Sequence, residues 1–303
     1  MAEPVALCQA SSYDEPDLAS KVRQTLAASG IQARTGMTVL VKPNLLMALP
    51  LACASPAIVV CACAWLLDHG CRVTVADSPA FGTASSVACA IGLTAGLKRL
   101  GIAVSNFGRA KKVQLDLAPQ ASIGIAAQAL DCDLVLSIPR IKAHSQLRMT
   151  LAVKNCFGCV TGVRKALAHV EFGRDAARFA DMIAAVWAAL PPVGALYDGI
   201  IAMSGTGPRN GSACQLGLLA ASRSAPAGDL AILGLLGLEP DKIPVQAALR
   251  KRGIAPEPAY PLAAPDQFSP GAFKAPACLK EVSFNPLRLA MSVVKRLALS
   301  CRR

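Results

Sequence analysis

The chain has 303 residues, with 31 Lys+Arg against 19 Asp+Glu, a formal charge of +12. A hydrophobic fraction of 53% with 17% charged residues excludes a disordered or low-complexity protein. Aromatic residues make up only 4%, which argues against a nucleic-acid stacking surface, so the positive balance favours anionic small molecules or an anionic membrane surface.

Residues 1–20 carry Glu3, Asp14, Glu15 and Asp17 and lack an apolar h-region, so no secretory signal is expected and the reading is cytoplasmic. The twelve cysteines are then free thiols or metal ligands, and Cys61, Cys63, Cys71 and Cys89 read as small buried hydrophobes in Ala/Val-rich segments. The first strand is predicted over 38–41. The uncharged run 45–67 is long enough to span a bilayer. Pro50 and Pro56 interrupt it, however, and Ser55-Pro56 is an N-cap followed by proline at N1, which predicts a helix over 56–68 closed by Gly70. A strand at 71–76, a helix at 86–100 stopped by Gly101, and strands at 102–104 and 133–138 follow. Such alternation predicts an α/β fold, a mostly parallel sheet with crossover helices. Polar residues gather just past the strands: Lys42, Pro43 and Asn44; Asp77, Ser78 and Pro79; Arg140, Lys142 and His144. Ligands of open α/β sheets bind outside the carboxyl ends of the strands.

The stretch from Lys142 to Cys159 is the densest in chemistry. A helix over 149–156 would put Thr150 and Lys154 on one face, at i,i+4. Lys142, His144, Lys154 and Asn155 would then bring two ammonium groups, an imidazole and an amide to one anionic ligand. Surface lysines and a turn-capping histidine account for the same residues without a ligand. Cys156 and Cys159 form a Cys-x-x-Cys pair, a redox dithiol or half a metal site, but no second pair of that spacing exists. His169 and His144, with Asp198, are candidates for metal binding or for acid–base work, and His69 beside Gly70 is a helix-end cap. The loop Gly205-Thr-Gly207-Pro-Arg-Asn-Gly211 is either a phosphate cradle or a tight turn.

In order, Val-Leu-Val-Lys42-Pro-Asn44, Asp77-Ser-Pro, Ser137-Ile-Pro-Arg-Ile-Lys142-Ala-His144, Thr150-Leu-Ala-Val-Lys154-Asn155-Cys-Phe-Gly158 and Asp198-Gly-Ile…Gly207-Pro-Arg-Asn-Gly211 resemble the family called domain of unknown function 362 (DUF362). The resemblance spans about 39–253. It implies one α/β domain over 1–275, in one body or in lobes 1–140 and 141–275 with the site between them. It carries over Lys42, Asn44, Asp77, Lys142, Thr150, Asn155, Gly207 and Gly211 as ligand-binding positions, and His144, Lys154, His169 and Asp198 as catalytic ones. Many family members carry a ferredoxin-like module and are described as iron–sulfur proteins, which implies oxidoreductase chemistry, while a cluster or metal ion in this chain would use the Cys-x-x-Cys pair Cys156 and Cys159. The ferredoxin cysteine run is absent here, so any ferredoxin-like electron donor would be a separate chain. The apolar loop 45–54 departs from the polar loop expected beside a pocket.

At 276–303 a basic amphipathic helix is predicted. Leu287, Ala290, Met291, Val294, Leu297, Ala298 and Cys301 form its stripe, and Arg288, Lys295, Arg296, Arg302 and Arg303 its charge. It would dock on the protein's own core or on a membrane surface. Three functions follow: an enzyme acting on an anionic small molecule, a metal-binding electron-transfer component, or a membrane-associated scaffold.

Overall fold

The computed structural model describes residues 2–118 and 120–280. The chain opens with β1 (Glu3–Gln9), α1 (Leu18–Ala28), β2 (Thr38–Pro43), α2 (Pro56–Asp68) and β3 (Arg72–Asp77). It continues through α3 (Ala84–Ala90), α4 (Leu93–Lys98), β4 (Val104–Asn106), β5 (Ala110–Leu115), β6 (Ala121–Ala126) and α5 (Ala127–Leu130). The middle holds β7 (Leu134–Ile138), β8 (Arg140–His144), β9 (Arg148–Thr150) and α6 (Ala152–Asn155), with a 3-10 turn at Cys156–Cys159. Then come α7 (Gly162–Phe172), α8 (Ala176–Ala188), β10 (Val193–Ser204), β11 (Ser212–Ser222), α9 (Ala225–Leu235), α10 (Pro244–Lys251) and β12 (Pro258–Ala259).

One mixed sheet runs in the order β12-β1-β11-β10-β7-β2-β3-β4, with β8 paired to β10 and β9. The segment from β10 to β4 is parallel, as the alternating pattern predicts, and every residue of β7 is buried at its centre. The antiparallel additions, β1 against β11 and β11 against β10, were not anticipated. Their residues are apolar almost throughout, so they lack the polar–apolar alternation that marks an antiparallel strand. The core lies on both faces of this sheet. Leu40, Ala76 and Val135 point to one side, and their neighbours Val39, Val41, Val75, Leu134 and Leu136 to the other, as period-2 geometry requires. Both clusters draw on residues before and after 140, so the two halves of the chain share one sheet.

Several local expectations need correction. The helix expected over 86–100 is two helices, because Gly92 sits at φ +84° and breaks the rise between α3 and α4. No helix runs over 149–156: Thr150 ends β9, and α6 begins at Ala152. Thr150 and Lys154 therefore do not share a helix face. Cys63 and Cys71 are buried as expected, Cys61 is half-buried, and Cys89 is exposed. Helix α2 spans the residues predicted for it, and His69 Nδ1 lies 2.7 Å from the Trp65 carbonyl at its end. Among the described residues no helix is long and apolar enough to cross a membrane. The basic helix expected over 276–303 lies outside the described residues from 281 onward.

Candidate functional site

The carboxyl ends of β2, β3 and β7 open on a polar cluster. Lys42, the fifth residue of β2, is 1% exposed and pairs with Asp77 at the end of β3, Nζ to Oδ1 2.7 Å. Asp77 also accepts from the backbone N–H of Leu45 at 2.8 Å and of Ser78 at 2.7 Å, so it anchors the two loops that leave β2 and β3. Lys42 donates onward to Asn155 Oδ1 at 3.1 Å, and Asn44 Nδ2 donates to the same oxygen at 3.1 Å. Lys142 then donates to Asn44 Oδ1 at 2.5 Å and to the Ala52 carbonyl at 2.7 Å. Asn155 completes the chain by donating to the Lys42 carbonyl (3.1 Å) and to Ser137 Oγ (3.0 Å). One continuous network thus links Asp77, Lys42, Asn155, Asn44 and Lys142, and mutual polarisation in a dry setting stiffens it.

Gly158 explains how tightly this network is roofed. A Cβ there would lie 2.4 Å from Lys42 Cε and 2.6 Å from Asp77 Oδ1, so the 3-10 turn can close over the ion pair only as glycine. The apolar loop 45–54 contributes through its backbone. The Ala52 carbonyl accepts from Lys142 and the Cys53 carbonyl from Arg140 Nε, at 2.5 Å, which is why polar side chains are not needed there.

The ribbon of β8 and β9 carries the second part. Lys142 stands opposite Thr150 and His144 opposite Arg148, and residues two apart on a strand share a face, so Lys142, His144 and Thr150 project to one side. His144 Nδ1 accepts from the N–H groups of Gln146 and Leu147, each at 3.2 Å. That leaves the ring proton on Nε2, as a donor to whatever lies beyond. The Thr150 hydroxyl is buried with no hydrogen-bond partner among the described residues. Lys154 and His169 join the same field: burial first, then the charges of Lys154, Lys142 and His169, hold His144 well below the ordinary imidazole value. Burial, with Lys165 and Lys154 nearby, pushes His169 down to about 3. Burial and neighbouring cations bring both Lys142 and Lys154 down to about 7. Lys42, Lys142 and Lys165 are each tied by hydrogen bonds, Lys165 to the Ser78 carbonyl at 2.5 Å. Lys154 has neither a hydrogen bond nor an ion pair among the described residues. It sits on α6, whose first N–H groups are capped by the buried carboxylate of Asp229: Ala152 at 2.8 Å and Val153 at 3.2 Å. Tyr197 donates to Asp229 at 2.7 Å.

The other expected residues take different places. Asp198 is buried in an adjacent network, 3.1 Å from Arg140, accepting from Tyr13 at 2.7 Å and from the Ser55 N–H at 2.7 Å. Both of its oxygens are occupied there. Gly207 and Gly211 have packing reasons: a Cβ would lie 2.0 Å from the Ala143 carbonyl at the first and 2.4 Å from Met203 Cγ at the second. Cys156 and Cys159 are fully buried in the 3-10 turn. Burial raises both thiols, Cys159 to about 12, and Cys156 donates to the Ala152 carbonyl at 3.4 Å. Two thiols are half of the four ligands that a cluster takes, and among the described residues no three His, Cys, Asp or Glu converge as a ligand set. This donor set does not fit an iron–sulfur cluster. Two surface clefts, about 330 Å³ beside Leu167 and Phe172 and about 470 Å³ beside Trp187 and Ile254, contain none of the cluster's lysines or histidines.

Asp229, Tyr197, Ser137 and Lys165 were missed in the sequence. Asp229 did leave a signal, as the one acid inside the apolar run of α9.

Residues 39–234 match the family described as Domain of unknown function (DUF362). The thylakoid-associated protein sll1697 of Synechocystis is 36% identical over 304 residues, covering 97% of this chain and 94% of that protein. A solved structure, the lactate racemase apoprotein from Thermoanaerobacterium thermosaccharolyticum, aligns at 13% identity with a TM-score of 0.49. That alignment covers 76% of this chain and 56% of the length of the other.

Proposed function

The chain belongs to the DUF362 family, and we propose that this member is an enzyme that binds an anionic small molecule at the Lys142–His144–Lys154 cluster and moves a proton on it. The observation that carries this reading is the charge imbalance. Four lysines act on one another here, Asp77 is committed to Lys42, and Lys154 has no partner of its own among the described residues. A part-buried ammonium among like charges, without a counter-charge, is costly, and an arriving carboxylate or phosphate removes that cost. Strongly perturbed titratable groups gathered at strand ends are a recurrent mark of functional sites.

In this reading Lys142, fixed by Asn44 and Ala52, supplies charge, and the Thr150 hydroxyl and His144 Nε2–H orient the anion's oxygens. Both histidines are held neutral at neutral pH, so each keeps one ring proton and carries no charge, and that of His144 on Nε2 is free to donate. Lys154, near 7, is suited to exchange a proton. Lys42, Asn44 and Asn155 hold the frame.

The test is calorimetry with formate, acetate, pyruvate, phosphate and sulfate on wild type, Lys154→Ala and His144→Ala. At least one anion should bind wild type, with affinity falling at least tenfold in each folded variant. Equal affinity in Lys154→Ala would remove this site.

A second reading, peripheral association with an anionic membrane, is favoured by the thylakoid association of the 36%-identical relative and by the +12 charge.

A further inference from the structure

Resting on the anion-binding reading, we propose that the Lys154 amine is a nucleophile toward the carbonyl carbon of a small oxoacid, with which it forms an imine. Three observations converge. First, Lys154 is the cluster's one lysine without a hydrogen bond or ion pair among the described residues, while Lys42, Lys142 and Lys165 are each fixed in place. An amine that holds the frame cannot leave it to attack; among the described residues Lys154 holds nothing.

Second, the charges that act on it are those of Lys42 from β2, Lys142 from β8 and Lys165 from α7, its own charge acts on His144 and His169, and the carboxylate of Asp77 is spent on Lys42. Burial and these like charges keep the amine near 7, so at neutral pH about half is in the reactive form. An ordinary exposed lysine is then neutral on the order of one time in a thousand. Third, the donors on one face of the β8–β9 ribbon suit a ligand with two oxygen-bearing ends. Lys142 and the Thr150 hydroxyl, which has no partner among the described residues, suit a carboxylate, and the His144 Nε2–H suits the carbonyl oxygen. In the step, nitrogen bonds to the carbonyl carbon and the carbonyl oxygen leaves as water with the two amine hydrogens. No electrons pass to or from a third species.

The experiment treats the full chain at pH 7 with pyruvate or glyoxylate and sodium cyanoborohydride, then reads intact mass and maps the peptides. One reduced oxoacid adduct per chain on Lys154 is expected, and acetate, which has no ketone or aldehyde carbonyl, should suppress it by occupying the anion site. Lys154→Arg keeps the charge but cannot form an imine, so it should still bind acetate and lose the adduct. Labelling spread over exposed lysines, or undiminished in Lys154→Arg, overturns the imine. If acetate and pyruvate bind but no Lys154 adduct forms, the imine fails and the anion site stands. If none of these anions binds wild type, both fall.

Discussion

At the scale of single residues, the site works through what its neighbours deny to each group. Lys154 and Lys142 titrate near 7 in the fold and near 10.4 when unfolded. Between those values the unfolded chain binds more protons, so the unliganded protein gains stability as pH rises through that window; below about 7 the cost of the buried charges is present in full. Lys154→Met should therefore raise the melting temperature of unliganded protein at pH 6.5 and leave it nearly unchanged at pH 10, a comparison that differential scanning calorimetry makes directly. Gly158 is the second sensitive point. A Cβ 2.4 Å from Lys42 Cε overpacks a buried ion pair, so Gly158→Ala should lower stability by about 2 kcal/mol in urea titrations. A neutral effect would mean that the turn can lift off Lys42.

At the scale of elements, the short helix α6 is held by packing and by one carboxylate. A helix of four residues has no stability of its own. Asp229 satisfies two of its N–H groups and takes the Tyr197 hydroxyl, and Gly228 leaves room for that ring, since a Cβ there would lie 2.5 Å from the hydroxyl. Asp229→Ala strands the Ala152 and Val153 N–H groups, the Tyr197 hydroxyl keeping the Ala225 carbonyl at 2.9 Å, and should cost about 3 kcal/mol, while Asp229→Asn, which keeps one acceptor oxygen, should cost clearly less. Similar losses from the two variants would show that one amide oxygen cannot replace the carboxylate pair; no loss in Asp229→Asn would show that bulk, and not the second acceptor, is what α9 supplies. The sequence made α2, β2, β3 and β7 legible because apolar runs, proline at N1 and glycine stops act locally. It misplaced Thr150 because the pattern Met-Thr-Leu-Ala-Val-Lys fits a helix until β8 offers β9 a pairing partner. Only tertiary contact decides between those two periods.

At the scale of the whole molecule, a single mixed sheet brings β2, β3 and β7 to one edge and gathers residues as far apart in sequence as Lys42 and Asn155. Lys42, Asn44 and Asp77 could be placed at strand ends in advance because parallel strands end on one side, whereas Lys142 and His144, expected just past the strand at 133–138, form β8 themselves. The roles of Asp198, Gly207 and Gly211 could not. Their partners Tyr13, Arg140, Ala143 and Met203 come from other strands or from the N-terminal segment. The basic balance is a property of the entire chain, and it bears on the membrane reading. Wild type should float with anionic vesicles and not with neutral ones, and Val294→Glu with Leu297→Glu should abolish flotation. Flotation that ignores lipid charge would contradict an electrostatic attachment.

The central claim is that an anion completes the Lys142–His144–Lys154 cluster. The most direct measurement is calorimetric binding of pyruvate and phosphate at pH 6.5 and pH 9, to wild type and to Lys154→Met. The account predicts binding to wild type at pH 6.5, at least tenfold weaker binding at pH 9, and none to the variant at either pH. Affinity that is unchanged by pH and by loss of the Lys154 amine would contradict it.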